Sequence, residues 1–151
     1  MATDLSRGSV RARRLLLSWI VYSVVLVILF TRPRLGRDLA QMYFEGVDIL
    51  GHLVLFGPWG FGLAFLLRMP VLRGRAILEV LALVALAGAV FGLFTELLQN
   101  AVAGRSGDVF DFLADAFGAA VGALACLIFP RSIYGRWAGI RASRPVDSGV
   151  E

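Results

Sequence analysis

The chain has 151 residues, 58% hydrophobic and only 17% charged, with a formal net charge of +4. Soluble domains carry about 25% charged residues and group their apolar ones in short periods, so a mean hydropathy of +0.78 argues for a bilayer as solvent. The basic balance does not indicate nucleic acid: every basic residue is an arginine, and the arginines flank apolar runs instead of forming a basic face interleaved with aromatics.

Residues 1–14 read as a basic cytoplasmic tail carrying Arg7, Arg11, Arg13 and Arg14. The first apolar run follows, LLLSWIVYSVVLVILF, and predicts a helix over about 15–31. The next residues, TRPRLGR, offer no small-residue cleavage site, so the run is expected to stay as an anchor. The segment LAQMYF, residues 39–44, suits a short helix lying in the membrane interface. A second run, 49–67, is interrupted by GPWG, and Pro58 should kink it by removing a donor and crowding the Val54 carbonyl. Runs over 76–95 and 111–129 complete a set of four. Each covers roughly 24 to 30 Å as a helix, enough to cross a hydrocarbon core of about 30 Å with snorkelling ends. A tail over 130–151 holds Tyr134 and Trp137 among arginines, and its last residues, SRPVDSGVE, are expected to be disordered.

The fold class expected is therefore an all-α integral membrane protein, a single four-helix antiparallel domain over 15–129. Eleven arginines fall in the two tails and the turn between the second and third runs, against four in the other two loops. Basic residues concentrate on the cytoplasmic side, so both termini should be cytoplasmic and the 31–48 and 96–110 loops should face outward. The one cysteine, Cys126, lies inside the last run, which excludes an internal disulfide and suggests a small buried side chain. A lone His52 excludes multi-histidine metal motifs.

On that topology the polar residues gather at one face. Asp108, Asp111, Asp115, Gly118 and Gly122 are spaced three, four, three and four, which places them on one helix stripe. Glu96 and Gln99 share a face at the end of the third run, above Gly88 and Gly92, and Asp48 and His52 share one at the start of the second. Asp115 should lie about 6 Å deeper than Asp111, inside the hydrocarbon boundary, where an acid needs a partner or a proton. Arg105 is the nearest available cation in sequence, and His52 is a second if protonated. Each element also has a plainer reading: Asp108 as a helix N-cap, Asp48 and His52 as interfacial residues, Glu96 and Gln99 as a frayed helix end. Gly118 and Gly122 are packing residues, within one chain or between two.

ELLQ (Glu96 to Gln99), Arg105, Asp111, Gly118 and Gly122, together with Asp48, His52 and Phe56 of DILGHLVLF, resemble the VanZ-like family of small membrane proteins over residues 48–123. The family usually has asparagine where this chain has Asp115, and often lysine where it has Ile49. The resemblance implies a bacterial envelope role in the cytoplasmic (inner) membrane and a link to glycopeptide (teicoplanin) resistance. It leaves the reaction open.

Three functions follow as expectations. The first is action at the outer face on an envelope lipid or a lipid-linked cell-wall precursor. Arg105 would bind a phosphate or carboxylate, Glu96 or His52 would act as general base, and Asp111 with Asp115 would orient groups or hold a divalent cation. Asp48, Gln99, Asp108 and Asp115 would then bind substrate. A cation held by Glu96, Asp108 and Asp111 is a cofactor this inventory admits, although no metal site is assigned. The second is a non-catalytic scaffold or accessory subunit, with membrane lipids and further copies of the chain as candidate partners. The third is a small transporter, disfavoured because the central parts of all four runs lack charge.

Overall fold

The computed structural model describes residues 2–31, 47–101, 109–129 and 134, with side chains from residue 10 in the first helix and from residue 49 in the second. Most of these residues are helical: α1 (Ala2–Thr31), α2 (Val47–Leu66), a 3-10 turn (Met69–Val71), α3 (Arg75–Ala101) and α4 (Val109–Ile128). Four segments are long and apolar enough to cross a membrane: Val10–Thr31, Ile49–Leu66, Arg75–Ala101 and Val109–Ile128. Large apolar side chains such as Leu17, Leu78, Leu86, Val90 and Phe117 are each more than half exposed on the outside of the bundle. Water would penalise that surface, and lipid tails accept it.

The direction of each helix follows from its contacts. Trp19 donates its indole N–H to the Trp59 carbonyl (3.0 Å), Tyr22 donates to the Leu55 carbonyl (2.8 Å), and Phe30 stacks on His52, so α1 runs antiparallel to α2. On α3 and α4, Gly92 meets Asp115 and Gly88 meets Ala119, again antiparallel. Between α2 and α4, Gly118 lies on Leu53 and Gly122 on Gly57, so these two helices run parallel and side by side. Their seam is made of backbone. A Cβ built on Gly122 would strike the Gly57 carbonyl oxygen, and one built on Gly60 would strike Ala119. The small-residue spacing thus closes helices within one chain, as close approach of backbones requires.

Several boundaries differ from the sequence expectation. Helix α1 begins at Ala2 rather than near residue 15, because arginine, alanine and leucine in the basic stretch are good helix formers and no proline interrupts them. Helix α3 runs 27 residues, about 40 Å, and continues through Ala101. Glu96 and Gln99 therefore sit inside a helix longer than the hydrocarbon core is thick, not on a frayed end. Pro58 lies within the single helix α2 and does not divide it. The turn after α2 is tight: Arg68 adopts φ 61°, a left-handed conformation that costs a branched or bulky residue but lets Met69 turn back into the bundle, fully buried. The expected interfacial helix at 39–44 and the C-terminal tail after Tyr134 lie outside the described residues.

Aromatic rings fill the interior. Trp59 and Phe91 stack nearly parallel (5.3 Å, 3°), with Phe56 against both. At the C-terminal ends of α2 and α4, Phe65 packs edge-on to Phe129 (5.3 Å) and to Tyr134 (4.8 Å). Cys126 is a free, fully buried thiol in the same apolar interior.

Candidate functional site

At the opposite end of the bundle the interior changes character. Among the described residues, the buried polar ones are His52 from α2, Thr95, Glu96 and Gln99 from α3, and Asp111 and Asp115 from α4. The buried stripe of α3 runs Val84, Gly88, Gly92, Thr95, Glu96 and Gln99, which is helical periodicity ending in polar residues. The stripe of α4 runs the other way: it opens with Asp111, Ala114 and Asp115 and ends in Gly118, Ala119, Gly122, Ala123 and Cys126. Because α3 is antiparallel to the other two, all three polar segments meet at one end.

His52 is the hub. Its Nδ1 lies 2.9 Å from Asp115 Oδ1, and its Nε2 lies 3.6 Å from Asp111 Oδ2. The imidazole is fully buried, and Phe30 of α1 stacks on its face at 4.1 Å and 30°. With Asp115 ionised, Nδ1 is the N–H donor; Nε2 then presents a lone pair on the side of Asp111 when the ring is neutral and an N–H when it is protonated. One ligand atom from each of His52, Glu96 and Asp111 lies within 4.8 Å of the others, so these three are the residues able to share a cation. Asp115 fits beneath them only because α3 has no side chain at Gly92, where a Cβ would lie 2.6 Å from Asp115 Oδ2. Among the described residues, Gln99 Nε2 and Asp115 Oδ2 are buried without a hydrogen-bond partner. Thr95 turns its hydroxyl back to the Gly92 carbonyl at 2.7 Å.

The structure thus brings together five residues expected from the sequence: His52, Glu96, Gln99, Asp111 and Asp115. Gly118 and Gly122 lie directly beneath, in the α2–α4 seam. Asp48 lies on α2 one turn before His52, with its side chain outside the described set. Arg105 and Asp108 also lie outside the described residues. Among the described residues Asp115 meets His52, which the sequence offered as a partner beside Arg105. Sequence reasoning missed Phe30, Thr95 and the role of Gly92. Thr95 was visible as a polar residue on the α3 stripe, whereas nothing in the sequence separates Phe30 from the lipid-facing residues around it.

Four helices of membrane-crossing length, enclosing a buried histidine–carboxylate cluster at one end, define a multi-pass membrane protein with an internal polar site. The family model described as VanZ/LLP1 matches residues 6–130, and the chain belongs to that family. No curated protein and no solved structure matches the chain.

Proposed function

We propose that this VanZ-family protein sits in the bacterial cytoplasmic membrane with both termini inside and uses the polar end of its bundle, at the outer face, to bind an envelope lipid or lipid-linked cell-wall precursor. The observation that carries this reading is the buried set of His52, Thr95, Glu96, Gln99, Asp111 and Asp115 at one end of a bundle whose interior, among the described residues, is otherwise apolar. Burying that many polar groups in a membrane protein is costly, and such groups mark sites where something polar is handled. The distribution of arginines supports the orientation, with eleven on the side assigned to the cytoplasm and four opposite. Arg105, in the loop between α3 and α4, supplies a guanidinium suited to a phosphate or carboxylate. The reading extends to a role in glycopeptide (teicoplanin) tolerance, which the resemblance to VanZ-like proteins implies.

A second reading has its own support. The His52–Asp115 contact also ties α2 to α4, which is what a scaffold or accessory subunit would need of it. One experiment separates the two. Glu96→Gln and Arg105→Lys are scored for teicoplanin tolerance or envelope stress beside membrane abundance, and the site reading expects the phenotype to vanish at unchanged abundance. Phenotype loss that only follows protein loss would favour the scaffold. In the same strains, a cysteine at Gly107, with Cys126 replaced, should react with an impermeant thiol reagent in intact cells. Labelling only after permeabilisation would overturn the orientation.

A further inference from the structure

We propose that His52, Glu96 and Asp111 bind one divalent transition-metal ion of the zinc or manganese type. All three side chains are buried and come from three different helices, and one ligand atom of each lies within 4.8 Å of the others. The His52 Nε2–Asp111 Oδ2 distance is 3.6 Å, close to the separation of about 3.4 Å between two ligands held about 2.1 Å from a tetrahedral ion. The histidine is also prepared as a ligand should be. Its Nδ1 is bound to Asp115 at 2.9 Å, and a carboxylate on the remote nitrogen of a metal-binding imidazole fixes the tautomer and raises its basicity. Phe30 stacked on the ring holds its plane.

Charge is compatible with an ion here. Glu96, Asp111 and Asp115 bring three carboxyl groups close to one imidazole at a buried site, and a divalent cation would offset two carboxylate charges. One nitrogen and two oxygens suit a borderline ion better than magnesium or calcium, which prefer oxygen alone. Three protein ligands leave at least one coordination position for an outside group, and the unpartnered Gln99 amide, one turn beyond Glu96, is a donor available to it. That outside group would be water or a phosphate oxygen of the lipid. This last step rests on the function proposed above, whereas the binding of the ion does not.

The test uses the full chain purified in detergent, stripped with chelator, incubated with zinc or manganese chloride and desalted before elemental analysis. The wild type should retain one equivalent per chain, and the ion should raise its unfolding temperature. Glu96→Gln and Asp111→Asn should each retain less than a tenth of an equivalent while eluting as monodisperse protein, and Asp115→Asn should weaken affinity by about 10- to 100-fold. Retention of neither ion by the wild type would overturn the proposal, and so would undiminished retention by Glu96→Gln and Asp111→Asn together. Binding that appears only after Arg105→Gln would assign the counter-charge to the guanidinium and also exclude the ion from the native site. Absence of metal alongside intact loss of phenotype in Glu96→Gln would remove the ion and leave the lipid-binding function standing.

Discussion

The two ends of this bundle are built from the same helices and hold themselves together by different means. At one end Phe65, Phe129 and Tyr134 interlock edge to face, and among the described residues no polar group other than the tyrosine hydroxyl is buried with them. At the other, His52, Glu96, Gln99, Asp111 and Asp115 occupy the corresponding interior. The aromatic end shows that closing this bundle does not require buried charge. The polar end therefore needs an explanation beyond assembly, and between the two lies a glycine seam that both depend on.

Breaking the seam should have the largest effect. Gly122→Leu forces a side chain into the Gly57 backbone, and rigid carbonyls cannot rotate away as a side chain could. A loss of about 3 kcal/mol is expected, at the upper end for overpacking, read as loss of monodisperse protein in detergent and of both ends together. The next effect sharpens the contrast. Asp115→Leu strands the His52 N–H and should cost about 1–2 kcal/mol, whereas Asp115→Asn keeps a hydrogen-bonding oxygen and most of the stability. Phe65→Ala should cost a similar amount. The 3–5 kcal/mol typical of soluble cores does not apply, since lipid tails are as apolar as the vacated site and only packing is lost. Thermal unfolding paired with the envelope assay should then show Asp115→Leu inactive and Phe65→Ala active at matched stability. Equal loss of activity in both would erase the distinction between the ends. The smallest effect belongs to Arg75→Gln: its ion pair with Glu79 at 3.1 Å is exposed and screened, so unfolding and phenotype should match the wild type.

Much of this arrangement was legible in the sequence because it is local. Hydropathy reveals a crossing helix, and helical spacing reveals that Asp111, Asp115, Gly118 and Gly122 share a face or that Glu96 and Gln99 do. Spacing cannot say which faces meet. The His52–Asp115 contact joins residues 63 apart and depends on α2 and α4 lying parallel in one register, which is fixed by Gly118 and Gly122 resting on Leu53 and Gly57. The place of Phe30 depends in turn on Trp19 and Tyr22 anchoring α1 to carbonyls of α2. The end of α3 lies beyond the apolar run for a simpler reason. A hydropathy run stops at its first acid, but a helix whose acid faces inward does not.

The seam has a consequence for heredity. Every single-base missense change of a glycine codon installs a residue with a Cβ, alanine being the mildest. At Gly60, Gly118 and Gly122 even that methyl would meet neighbouring backbone. These three codons therefore have no conservative one-step neighbour, and a saturating mutational scan of the gene should find them silent or broken, with little between.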